Sequence, residues 1–158
     1  MDRLLTLLQQ NARISTKQLA VMLETTEQEV IEQIEKYEAD GIIKGYTAVI
    51  NREKADKNYV AAIIELKVTP KTDFGFDEIA KKITEYDEVE SVYLMSGGYD
   101  LAVIVTGQNF KDIAMFVAKR LSLLDSVVST ATHFLLTRYK DRGIIMSNEE
   151  KDERSILF

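Results

Sequence analysis

The chain has 158 residues, enough for one ordinary domain or two small ones, with 46% apolar and 29% charged residues, as in a globular protein. It contains no cysteine, which excludes disulfides, thiolate metal sites and cysteine nucleophiles and fits a cytoplasmic location. The net charge of −6 argues, as an average over the chain, against a surface built to neutralise phosphates.

Splitting at residue 57 does not change that balance: residues 1–57 and 58–158 are both mildly acidic. No apolar run approaches the roughly 18 residues needed to cross a bilayer, so no membrane association is expected. The first residues, MDRLLTLLQQ, do not read as a signal peptide.

In chain order, residues 2–10 place Leu4, Leu7 and Leu8 on one helical face. After the break NARIS, Ser15 and Gln18 have capping-box spacing, which predicts a second helix from Thr16 to about Glu24. Thr26 and Glu29 repeat that spacing, so a third helix starts at Glu27, buries Val30, Ile31, Ile34 and Tyr37, and stops at Gly41. Three short helices with a tight turn before the last form a helix-turn-helix. GIIKGYTAVIN then reads as one or two short strands broken at Gly45, a wing or an exit strand. The expected boundaries are a winged helix-turn-helix over residues 1–50, a linker over 51–58, a second domain over 59–140 and a tail over 141–158.

The second domain alternates strand and helix. A strand over 59–68 puts Val60, Ala62, Ile64, Leu66 and Val68 on one face. TPKTDFG turns, and a helix follows with Phe76, Ile79, Ala80 and Ile83 inward. Strands over 89–96 and 101–106 pair as a hairpin around SGGYD. A helix over 109–124 turns Phe110, Ile113, Val117, Leu121 and Leu124 inward, and a last strand covers 127–138. The order β-α-β-β-α-β gives a ferredoxin-like sandwich, so the fold class is α+β. Both helices cover one sheet face. The other carries Ala61, Ile63, Ala102, Ile104, Val127, Ala131 and Leu135, and an apolar open face predicts a dimer.

This organisation resembles the Lrp/AsnC family of feast/famine regulators. The resemblance is carried by NARIS at 11–15, LA at 19–20, DGIIKGYTAVIN at 40–51, SGGYD at 96–100 and TAT at 130–132, in that order and spacing. It implies a transcriptional regulator that binds double-stranded DNA, dimerises through its second domain, often assembles into octamers, and takes a small effector, usually an amino acid, between subunits near a Gly-x-Tyr-Asp turn. That turn is Gly97-Gly98-Tyr99-Asp100 here. Two departures stand out: family members often have arginine where this chain has Gln33, and glycine where it has Glu24.

The candidate effector residues are Ser96, Gly97, Gly98, Tyr99, Asp100, Thr130 and Thr132. Glycines leave backbone N–H groups open to a carboxylate, Asp100 suits an ammonium, Tyr99 walls the pocket and the threonines offer neutral hydrogen bonds. The same residues also make an ordinary hairpin turn, with glycines supplying positive φ. The candidate DNA contacts are Arg13, Ser15, Thr16, Lys17, Thr26, Gln28, Glu29, Gln33, Lys36, Lys44 and Tyr46. Outward glutamines suit adenine, and Glu29 and Glu32 suit cytosine N4. The acidity of the third helix lowers the expected affinity, which the second helix, the wing and multivalency must offset.

Phe74, Phe76, Met115 and Phe116 read as packing, and His133 as a core or interface histidine. No metal or cofactor site and no catalytic set appears, so no enzyme is expected. The tail SNEEKDERSILF is charged and ends apolar. The leading reading is an effector-responsive regulator. The alternative is a ligand-binding or assembly protein whose helix-turn-helix has weak or no DNA affinity.

Overall fold

A computed structural model of the chain describes residues 2–69 and 75–146. Phe74 and the tail from 147 onward lie outside them. The chain divides into two compact units, Met1–Ala48 and Val49–Phe158.

The first unit holds α1 (Arg3–Gln10), α2 (Thr16–Leu23) and α3 (Glu27–Ala39). Each start is fixed by its cap. Asp2 accepts from the Leu4 N–H at 2.7 Å, and both expected capping boxes, Ser15 with Gln18 and Thr26 with Glu29, are formed. Leu4, Leu8, Leu19, Ala20, Val30 and Tyr37 are buried together, with Ile14, Leu23, Ile34 and Ile43 packed around them. Glu24 ends α2 in the left-handed conformation (φ 56°), and Gly41 ends α3 at φ 68°. The expected wing strands are absent: residues 42–50 join no ladder. A strand needs an edge to pair with, and no described strand lies in this unit.

In the second unit the short helix α4 (Arg52–Ala55), capped by the Asn51 side chain, opens what reads in sequence as a linker. Then come β1 (Val60–Val68), α5 (Gly75–Thr84), β2 (Val89–Leu94), β3 (Leu101–Gly107), α6 (Phe110–Lys119), a 3-10 turn (Leu121–Leu123) and β4 (Val127–Phe134). The sheet runs β2-β3-β1-β4, antiparallel throughout, the expected ferredoxin-like order. Ala62, Ile64 and Leu66 of β1 and Leu101, Val103 and Val105 of β3 meet Ile79 and Ile83 of α5 and Ile113, Phe116 and Val117 of α6 in one core.

Four details differ from the periodicity. Val127 faces this core, not the open face, because a bulge pairs Lys67 with Ser129 but Val68 with Val127, leaving Val128 as the extra residue. Phe110 is 56% exposed at the first position of α6 and stacks edge-on against Phe134 at 4.8 Å. Its place in the core is taken by Phe116, which meets the Tyr86 ring at 5.4 Å. Met115, read as packing, is exposed, while Phe76 packs as expected. Residues 140–145 form a hairpin, β5 (Lys140–Asp141) and β6 (Ile144–Ile145), turned by Arg142 and Gly143, both at positive φ.

Candidate nucleic-acid and ligand sites

Four of the carboxylates of α3, those of Glu27, Glu29, Glu32 and Glu38, are engaged within the first unit. The Thr16 hydroxyl donates to Glu27 at 2.6 Å, joining the N-terminus of α2 to that of α3. The hydroxyl of Thr25 and the Thr26 N–H both donate to the Glu29 carboxylate. These bonds, that of Thr25 first, hold Glu29 below its ordinary pKa. Gln28 donates to Glu32 at 2.8 Å.

Of the expected DNA contacts, Arg13, Ser15, Lys17, Gln28, Lys36, Lys44 and Tyr46 are exposed. Thr26 and Glu29 are exposed too, but they form the cap of α3, and Thr16 is tied to Glu27. Gln33 is half-buried. Burial first, then the Asp2 carboxylate, pushes the Tyr37 pKa up. Tyr46 donates to Glu38 at 2.9 Å. The free polar edge of α3 therefore centres on the Gln28–Glu32 pair and Lys36.

The SGGYD turn closes the β2–β3 hairpin, with the Met95 N–H donating to the Asp100 carbonyl at 2.8 Å. Asp100 is a structural residue here: its N–H donates to the Leu66 carbonyl at 2.9 Å, and its carboxylate accepts from the Val68 N–H at 2.8 Å. It continues the β3–β1 ladder with a side chain. Gly97 and Gly98 do not use positive φ, and a Cβ on either would meet nothing within 4 Å. Neither backbone conformation nor packing inside the chain demands glycine there. Ser96, Gly97 and Gly98 are exposed, and Tyr99 and Asp100 half-buried.

Thr130 and Thr132 are not brought to the turn within one chain. They pair with Leu66 and Ile64, whose other partners are Leu101 and Val103. They therefore lie two strands from β3, roughly 10 Å away. Paired residues share a face, so both threonines point to the helix side. On the opposite face His133 meets Glu65 at 3.4 Å beside Ile63. Among the described residues no group of three or more His, Asp or Glu could hold a metal, and no helix is long and apolar enough to cross a membrane.

Residues 3–44 match a winged helix-turn-helix DNA-binding family model, and residues 61–145 match that of the Lrp/AsnC ligand binding domain. The chain belongs to the Lrp/AsnC family. It is 44% identical over 155 residues to the HTH-type transcriptional regulator YugG of Bacillus subtilis, covering 98% of this chain and 93% of that one. It is 33% identical to the HTH-type transcriptional regulator LysM of Saccharolobus solfataricus, covering 85% and 91%. A transcriptional regulator of Neisseria meningitidis, solved as a complex with L-methionine, shares the fold with a TM-score of 0.71 at 20% identity, over 89% of this chain and 93% of that one.

The Lrp/AsnC ligand-binding match runs through the β5–β6 hairpin, so residues 141–145 belong with this domain's sequence pattern. Two features escaped the sequence reading. The Thr16–Glu27 tie joins residues eleven apart, beyond any helical spacing. A pocket of about 70 Å³ also forms between residues 50–59 and 135–146, stretches read as linker, strand end and tail.

Proposed function

We propose that the protein is a sequence-specific DNA-binding transcriptional regulator whose activity responds to a small effector, an amino acid. The observation that carries this is the joining, in one chain, of a winged helix-turn-helix to an Lrp/AsnC ligand-binding domain. The L-methionine complex of the Neisseria regulator supports the amino-acid class. No cofactor, metal or catalytic role enters this reading, and the site of action is the cytoplasm.

The DNA surface is Arg13, Ser15 and Lys17, the Gln28–Glu32 pair and Lys36 of α3, with Lys44 and Tyr46 beyond it. The effector surface is the turn Ser96–Asp100, whose exposed, unobstructed glycines let a ligand carboxylate approach the backbone. Thr130 and Thr132 of a neighbouring subunit complete it. The working form is a homodimer through the open sheet face, assembling further into octamers. Effector binding between subunits shifts the assembly and hence the spacing of the DNA-binding heads.

A gel shift on the DNA upstream of the protein's own gene, titrated in salt and repeated with each amino acid, tests this. The expected result is retardation that weakens with salt and moves with one or a few amino acids. The acidic face of α3 favours a second reading, a ligand-binding assembly protein with little DNA affinity. Absence of retardation at low salt and micromolar protein selects it.

A further inference from the structure

A helix-turn-helix docks its second helix in the major groove, with the first turns of that helix on the base edges. Residues 3–44 match such a unit, and α3 is that helix. Within residues 27–33 most side chains are already committed. Val30 is buried, and Ile31 and Gln33 are half-buried. Glu27 is held by the Thr16 hydroxyl, and Glu29 closes the cap with Thr25 and Thr26. Two exposed side chains are left, Gln28 and Glu32. They sit one helical turn apart and are joined, Gln28 Nε2 donating to Glu32 Oε1 at 2.8 Å.

That bond fixes which polar groups face outward. A carboxylate only accepts, so the amide nitrogen of Gln28, not its carbonyl, is turned to Glu32. One amide hydrogen is used. The other hydrogen and the carbonyl oxygen of Gln28 are left, with Oε2 of Glu32. A donor beside an acceptor complements adenine, which offers N7 as acceptor and N6 as donor on its major-groove edge. Guanine sets two acceptors there, and one would face the Gln28 carbonyl. The carboxylate oxygen of Glu32 needs a donor with no acceptor next to it. Cytosine presents that through N4, whereas guanine and thymine offer acceptors and adenine sets N7 beside its N6. The bonded tips are 2.8 Å apart, close to the roughly 3.4 Å between stacked bases, so the two bases belong to neighbouring pairs.

We propose that Gln28 and Glu32 are the base-reading pair of the protein, Gln28 on an adenine and Glu32 on the N4 amino group of a cytosine in the adjacent base pair. Glu32 also positions the Gln28 amide. The assignment rests on the DNA-binding role proposed above and deepens it to a base step. It divides the labour as well. Glu32 repels phosphate, so it adds discrimination while lowering affinity, and the exposed cations Arg13, Lys17 and Lys36 supply the attraction.

Selection of the full chain's targets from a random duplex pool, followed by gel shifts on the selected duplex, tests this. The unaltered protein should select half-sites that hold an A·T pair beside a C·G pair. Replacing that adenine by 7-deazaadenine, which deletes only the N7 acceptor, should weaken the complex about tenfold. Gln28→Ala, an exposed substitution, should abolish the preference at the A·T pair and keep that at the C·G pair. Glu32→Gln should abolish the preference for cytosine while raising the affinity for unselected DNA, because a negative charge leaves the interface. A merely structural role for Glu32 would not move those two quantities in opposite directions. Retention of DNA without such a step, indifference to 7-deazaadenine, or a Glu32→Gln protein that still prefers cytosine would each overturn the assignment and leave the DNA-binding role standing. A protein that retains no duplex at low salt would remove both.

Discussion

Single residues carry conflicts between local conformation and chemistry. Glu24 occupies the left-handed region at the α2–α3 turn, where a Cβ is penalised and glycine is not. Glu24→Gly should therefore stabilise the first unit by about 1 kcal/mol, read as a higher urea midpoint at unchanged slope. Asp100 carries the opposite lesson. Its carboxylate holds the Val68 N–H, so Asp100→Ala is not the clean probe of ammonium binding that the sequence suggests. The alanine variant should lose about 1–2 kcal/mol of stability through an unpaired N–H. Asp100→Asn retains an acceptor and should lose less than about 1 kcal/mol; an equal loss for both would show that charge, not the hydrogen bond, matters. Glu29 contributes a pH signature. Its folded pKa lies below the ordinary 4.5, so its contribution is present above that pH and fades as pH falls through the lower folded value. Glu29→Gln removes the titration, and its urea midpoint should fall less steeply than that of the unaltered protein below pH 4.5.

At the scale of elements, α3 is acidic for reasons that are largely internal. Glu27 latches α2, Glu29 completes a cap and Glu32 orients Gln28. The cap is doubly satisfied, so Thr26→Ala should cost about 1–2 kcal/mol, at the upper end for an N-cap, and thermal unfolding should register it. A loss below a few tenths would mean that Glu29 holds the helix start through Thr25 and the backbone alone. Both helix starts were legible because a capping box is written within four residues. The β-α-β-β-α-β order was legible because each element shows its own periodicity. The bulge that turns Val127 inward was not, since it depends on how β4 registers against β1, a strand nearly sixty residues earlier. Gln33 looked outward by helical spacing, yet it is half-buried beside the exposed edge. The missing wing strand has the same origin: residues 42–50 have strand-like composition, but pairing needs an edge that this unit lacks.

For the whole molecule, the proposed dimer rests on the open face of the sheet. Ile63 and Ile104 are cross-strand partners at its middle, flanked by Ala102 and Ala131, with His133 and Glu65 the polar pair beside them. Leu135 closes one end under the chain's own residues 50–53. Such a face, uncovered by either helix, buries its isoleucines only against a second sheet, and a two-fold axis would set each Ile104 near its own copy. A lysine at position 104 would then bring two like charges into an apolar interface and cost the dimer several kcal/mol, about 3–5, without touching the core on the helix side. Sedimentation velocity of the Ile104→Lys protein should show a monomer where the unaltered chain sediments as a dimer or larger, with the far-ultraviolet circular dichroism unchanged. An unaltered chain that already sediments as a monomer at micromolar concentration, or a variant that stays dimeric, would place the subunit contact elsewhere. Loss of the dichroism signal would instead assign Ile104 to the fold of the subunit, and Ile63→Lys, on the neighbouring strand, would then separate folding from assembly.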